Sequence, residues 1–299
     1  MDRTGQPRAA AIEAGFVPFS DLGAAHGESP VRDPRDGAIW WVDTAGRRLL
    51  RTGADGRSRA WDTPERPGFV QIASGHALIG MESGIFRFDP ETGRFARRAR
   101  LDLPGQRFND ACPGAAGTIW AGTMDLENRR ANGVLFRFDA AEDRLEPLLG
   151  GFRTLNGLAW DGRRRRLYVS DSHPDVQRVW LLPLDPAGGL GACRDFARFD
   201  RLAGRPDGAM LDAAGGYWIA AVGGGRLYRF GPDGGLSHDC ALPLPRPTKP
   251  ALLPGRPGGP GPALVLTGFA EPPAPGRPAH HGRLMIWRSP PPGLFAAQM

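Results

Sequence analysis

An all-β, six-bladed β-propeller with four-stranded antiparallel blades is the fold this sequence predicts. Three observations lead there. Six short β-type runs recur along the chain, and each is followed within a few residues by a second run carrying Arg and apolar or aromatic residues. Between them lie frequent turn formers, with 43 Gly and 30 Pro among 299 residues. A repeat of 40 to 50 residues holding several short strands is the signature of sheets stacked radially about an axis.

In chain order the first runs are residues 39–44 (IWWVDT), 77–82 (ALIGME), 119–124 (IWAGTM), 167–172 (LYVSDS), 217–222 (YWIAAV) and 264–269 (LVLTGF). Their starts lie 38, 42, 48, 50 and 47 residues apart. The partner runs are 48–51 (RLLR), 85–89 (IFRFD), 134–139 (VLFRFD), 178–182 (RVWLL), 226–230 (RLYRF) and 283–287 (RLMIW). These repeats fill the chain and leave no room for a second globular unit. We therefore expect a poorly ordered tail over residues 1–15 and a single propeller domain over 16–299. Residues 16–20 (FVPFS) are expected to close the ring as a strand of the C-terminal blade. The Pro/Gly-rich stretches 254–262 and 272–278 are the places where disorder is expected.

The net charge is +6, and the pI is near 10. Such a balance raises nucleic acid or an anionic membrane as a partner. However, Lys249 is the only lysine, and the arginines are scattered through the repeats. The one tight cluster, residues 163–166, reads as an exposed hairpin loop without the interleaved aromatics of a stacking platform. No nucleic-acid or membrane partner is expected, and the oligomeric state is unreadable. Cys112, Cys193 and Cys240 are odd in number and lack metal-type spacing, so neither a disulfide framework nor a zinc knuckle is expected. The first fifteen residues have no continuous apolar core, and no stretch approaches the length of a membrane span. The default expectation is a soluble, cytoplasmic protein.

A polar residue precedes four of the six first runs at nearly constant spacing. Glu28 lies 11 residues before Ile39, Asn109 lies 10 before Ile119, Asn156 lies 11 before Leu167 and Asp207 lies 10 before Tyr217. Each is followed by a short apolar segment and a turn, as the start of a blade's innermost strand would be. Alone, Asn156-Gly157 and Asp207-Gly208 are ordinary turn dipeptides. Their shared phase instead places all four side chains toward the central channel. Carboxylates converging there repel one another unless neutralised. An all-oxygen set without imidazole or thiolate suits a hard divalent ion such as Ca²⁺, Mg²⁺ or Mn²⁺. Three protein ligands would leave positions open for water and substrate.

The same residues carry a family resemblance. GESPV followed by DPRDG and IWWVD, RFND followed by GTIWAGTMD, NGLAWD followed by RLYVSDS, GRPDGAMLDAAGGYWIAAVGGGRL, and LPLPRPTKPA resemble the SMP-30/gluconolactonase/luciferin-regenerating family. The match runs in order over roughly residues 16–252, and its motifs are specific for the family more than for a substrate. The resemblance implies a propeller with one divalent ion ligated by Glu28, Asn156 and Asp207. Ca²⁺ is the first expectation, with Zn²⁺, Mn²⁺ or Mg²⁺ as alternatives. It also implies that Asn109 stands beside the metal, and that Arg107 and Glu127 grip the substrate's hydroxyls and ring oxygen.

The implied activity is hydrolysis of a sugar lactone to the aldonic acid. Asp207 is the candidate general base and Asn109 the candidate oxyanion donor. Two alternatives remain at this stage: a non-catalytic calcium-binding regulatory propeller, and a metal-dependent hydrolase of another ester, such as a phosphotriester. The last blade departs from the family pattern. Lys249 and the 254–262 insertion are expected to alter the pocket mouth, and the His280-His281 pair is expected to lie in solvent.

Overall fold

The computed structural model describes residues 10–186, 188–255, 261–272, 280, 282–288 and 290. Apart from single-residue bridges, every regular element described is a β-strand, and the strands form six sheets. In the first five blades four consecutive strands pair antiparallel from first to last. The first blade, for example, runs through Gly27–Arg32, Ile39–Asp43, Arg48–Thr52 and Ser58–Asp62. The sixth takes three strands from the C-terminal region, Pro247–Leu253, Ala263–Gly268 and Arg283–Trp287, and its fourth from the N-terminus, Val17–Gly23. Val17 pairs with Ile286 and Pro18 with Met285, so the ring closes through the segment the sequence singled out.

The N-terminal boundary differs from the expectation. Ala10–Glu13, inside the expected tail, forms a strand parallel to Leu236–Ala241 and adds a fifth member to the fifth blade. Residues 1–9 of that tail lie outside the described residues, as do 256–260 and 273–279 of the Pro-rich stretches and His281. His280 is buried rather than solvated, and its Nδ1 accepts from the Gly282 N–H at 3.3 Å. Residues 163–165 do form the exposed turn between the first two strands of the fourth blade, and Arg166 opens the second strand, paired with Asp161.

The second strands identify themselves in the sequence because both of their faces are covered. Ile39–Asp43 and Tyr217–Val222 are buried throughout. A strand packed on both sides reads as a continuous apolar run. Six buried apolar clusters result, one at each junction between neighbouring blades. At the first junction Trp40, Val42 and Leu49 meet Val70, Ile79 and Phe88. At the last, Val265 and Ile286 meet Ile39, Trp41 and Leu50.

The first strands pack on one another around the axis: Gly27–Arg32, Phe69–Ala73, Gln106–Pro113, Leu155–Asp161, Arg205–Leu211 and Pro247–Leu253. Five of them carry a β-bulge at the same phase, with one extra residue relative to the second strand. The bulges lie between Glu28 and Val31, Phe108 and Ala111, Asn156 and Ala159, Pro206 and Ala209, and Pro247 and Pro250. A bulge bends the strand and re-aims its side chains. In the fourth blade the turn needs glycine. Gly157 has φ +59°, and a Cβ there would lie 2.5 Å from Ser170 Oγ and 2.6 Å from Tyr217 OH.

Candidate active site

The offsets of 11 and 10 residues reflect turn length. Each of the four polar residues lies four residues before the one that pairs with the start of its run (Arg32, Pro113, Trp160 and Leu211), and the connection to the second strand is one residue longer in blades one and four. Glu28 and Asn156 are the last paired residues before their bulges, whereas Asn109 and Asp207 are the first unpaired residues within theirs. All four stand at one level of the channel, on blades one, three, four and five. The second blade's first strand pairs without a shift and contributes none of them.

Asn156 Nδ2 donates to Asp207 Oδ1 at 2.5 Å, and Asn156 Oδ1 accepts from the Gly157 N–H at 3.1 Å. Glu28 Oε2 accepts from the Ser29 N–H at 3.0 Å. Asn109 Nδ2 donates to the Leu155 carbonyl at 2.9 Å, which fixes its amide and leaves a second N–H for another acceptor. Burial raises the Glu28 carboxyl to about 8; Asp110 pushes it further up, while Lys249, the Ser29 N–H and Arg107 oppose this. Asp207 is raised well above the ordinary carboxylate range, first by burial and then by Glu28. Two acids on the axis thus resist being charged together.

His26 Nε2 is 3.6 Å from Glu28 Oε1. Burial, with Arg107 next, lowers that imidazole to about 3, so the contact is not an ion pair near neutral pH. Its ring stacks on Phe269 with centroids 3.9 Å apart.

Arg107 is 7% exposed and donates to the Phe108 carbonyl at 2.9 Å and to Met124 Sδ at 3.1 Å. Burial and then Arg66 lower it to about 10, and Glu28 and Asp207 are among the charges acting against that. Glu127 is not drawn into the cluster: its side chain is 67% exposed and pairs with Arg129 at 3.2 Å.

Sequence reasoning missed a second pair on the axis. Lys249 lies within the bulge of the sixth blade and is buried in the channel, where it and Pro254 also line a cavity at one mouth. Its Nζ donates to Asp110 Oδ1 at 2.5 Å and to the Ala111 carbonyl at 2.7 Å. Asp110 Oδ2 also accepts from the Leu158 N–H at 2.8 Å. Three blades are thereby joined across the axis. The available signal was the chain's only lysine, one residue past the register position of Asn109 and level with Asp110.

Among the described residues no three His, Cys, Asp or Glu side chains form a metal-ligand cluster. A cation here would need the Asn156 amide oxygen beside the two carboxylates. The donor set fits a hard divalent ion, because carboxylates buried beside other acids would welcome a positive charge.

Fold and centre together define a propeller with an oxygen-donor polar site on its axis. The chain belongs to the SMP-30/Gluconolactonase/LRE-like family, whose model matches residues 26–258. It is 36% identical to the 6-deoxy-6-sulfogluconolactonase of Pseudomonas putida over 234 residues, covering 76% of this chain and 78% of that one. It is 31% identical to the L-arabinolactonase of Azospirillum brasilense over 233 residues, covering 76% and 77%. The crystal structure of a calcium-binding protein, regucalcin, from Agrobacterium tumefaciens superposes with a TM-score of 0.83 at 26% identity, covering 94% of this chain and 95% of that one.

Proposed function

We propose that this chain hydrolyses a sugar lactone, a five- or six-carbon aldonolactone such as gluconolactone or a pentonolactone, with one divalent ion at the channel axis. The observation that carries this reading is the convergence of Glu28 and Asp207, two buried acids of raised pKa, with the Asn109 and Asn156 amides at one level of the channel. The names of the sulfogluconolactonase and arabinolactonase relatives support the substrate class.

Glu28, Asn156 and Asp207 would hold the ion, Ca²⁺ before Zn²⁺, Mn²⁺ or Mg²⁺. When bound it would supply Lewis-acid polarisation of the lactone carbonyl. The protein's own groups do the rest. Asn156 occupies Asp207 Oδ1, so Oδ2 is the oxygen that takes the proton of the attacking water. The water oxygen bonds to the carbonyl carbon. The ring C–O bond then breaks, and the proton passes from Asp207 to the departing alkoxide, giving the hydroxy acid. Asn109 offers its free amide N–H to the developing oxyanion. Arg107 forks onto the sugar hydroxyls, a geometry a lysine would not reproduce. Glu127 adds a contact to the substrate from the rim.

Acid release followed by pH-stat on a panel of aldonolactones tests this. Chelated protein is compared with protein given Ca²⁺, Mn²⁺, Mg²⁺ or Zn²⁺. Metal-dependent turnover above spontaneous ring opening is the expected result. A flat trace from folded, metal-loaded protein would overturn the reading.

A further inference from the structure

All six first strands run from the level of Glu28 and Asp207 toward the opposite mouth of the channel. There, beyond the bulges, a cavity of about 330 Å³ opens, and every blade contributes to its wall. Val31, Trp160, Met210 and Leu252 give it apolar walls, Arg32 adds a second cation beside Lys249, and no Asp or Glu is among the described residues that line it.

Two of its polar groups sit together. Lys249 and Gln71, 5% and 4% exposed, both line the cavity, and both donate to the same Ala111 carbonyl, Lys249 at 2.7 Å and Gln71 Nε2 at 3.1 Å. An ammonium has three N–H groups, and Lys249 spends two, on Asp110 and Ala111. A carboxamide nitrogen has two, and Gln71 spends one. Two buried donors side by side therefore each keep a spare hydrogen, in a partly apolar chamber large enough for a small ligand.

We propose that this cavity is a second binding site, for a small carboxylate with an apolar body. Its head accepts from Lys249 and Gln71, and its tail lies against Met210, Trp160 and Leu252. The spare N–H groups of Lys249 and Gln71 and the Arg32 guanidinium favour an anion, and the apolar walls favour a hydrocarbon body. The site is separate from the lactone centre but coupled to it. The Lys249 stem packs so tightly under Gly208 that a Cβ there would come 2.5 Å from Lys249 Cβ, and Gly208 follows Asp207 directly. Lys249 also holds Asp110, the neighbour of Asn109. A carboxylate that draws on Lys249 therefore acts on both.

Octanoate is the probe, with 1-octanol as the uncharged control, measured by calorimetric titration of the full chain. Octanoate is expected to bind with a Kd on the order of 0.1–1 mM, roughly tenfold tighter than octanol. Met210→Trp, which fills the chamber without touching the ion pair, should abolish binding, and Lys249→Met should erase the preference for octanoate over octanol. Glu28→Gln, at the other level of the channel, should leave binding intact. No octanoate binding to the wild type, or binding that survives Met210→Trp, would overturn the proposal. So would binding lost in Glu28→Gln, because that would place the ligand in the lactone site. None of these outcomes depends on lactone turnover.

Discussion

Asn156 Nδ2 donates to Asp207 Oδ1 across the junction of the fourth and fifth blades, at 2.5 Å. The bond fixes which carboxylate oxygen stays free, and it ties a base to the amide expected beside it at a metal. Asp207→Ala should therefore lose both functions. Turnover of the best lactone is expected to fall by at least ~10³-fold, the range of a lost general base. Calorimetric titration should show weakened Ca²⁺ binding in the same variant. An Asp207→Ala protein that keeps its metal and more than about half of its kcat would remove Asp207 from the chemistry.

Asn109 tests a different role. Its bond to the Leu155 carbonyl is one neutral hydrogen bond, worth about 1 kcal/mol, so Asn109→Ala should fold and melt close to the wild type. Loss of an oxyanion donor nevertheless costs on the order of 10²–10³ in kcat. The expected pattern is a crippled kcat with a nearly unchanged KM, read from initial rates across substrate concentration.

For Glu127, exposure outside the polar cluster limits the effect to binding. Glu127→Gln should raise KM a few-fold and leave kcat within about twofold, the signature of a lost ground-state contact. An unchanged KM would show that its charge serves only the surface pair with Arg129.

How much of this was legible in the sequence depends on whether a residue's role is local. Trp41 and Val42 announce a doubly covered strand because burial on both faces writes itself as consecutive apolar residues. The axial positions of Glu28, Asn109, Asn156 and Asp207 were legible because a repeat turns spatial equivalence into equal spacing. The one-residue alternation in that spacing records the turn after the strand, which is one residue longer in blades one and four. The Lys249–Asp110 pair was not legible as a pair, since its partners lie 139 residues apart and meet only when the ring closes. Ala10–Glu13 was missed for another reason. Four residues without a turn or an alternation give no sign that they will pair, and the edge they join exists only in the folded fifth blade.

Asp33 offers a pH test away from the channel. It follows the first strand of blade one, accepts from Trp40 Nε1 at 3.1 Å and pairs with Arg35 at 2.6 Å. The Arg35 hydrogen bond is the largest influence holding its carboxyl well below the ordinary range, against the opposing effect of burial. A depressed carboxylate contributes stability that is present above its unfolded pKa and is lost as pH falls through the folded value. Asp33→Asn should lower Tm by roughly 2–4 °C at pH 7, and the gap to the wild type should narrow steadily below about pH 4. A gap that stays constant down to pH 2 would mean that the charge of Asp33 adds nothing to its hydrogen bonds.

Truncation separates the two N-terminal strands. Val17–Gly23 supplies the outer strand of the sixth blade, and Phe16 beside it packs on Trp287 with ring centroids 5.6 Å apart. Ala10–Glu13 only extends the edge of the fifth blade, and its side chains are largely exposed. Removing residues 1–13 should therefore cost a few degrees of Tm at most, while activity survives. Removing residues 1–23 strips the sixth blade to three strands and uncovers the cluster that joins it to the first, so the ring loses its closure. That variant should be insoluble or melt far below the wild type, even though no residue of the channel centre has been removed. Thermal denaturation followed by circular dichroism distinguishes the two. Equal losses in both truncations would show that the parallel strand, rather than the antiparallel one, completes the fold.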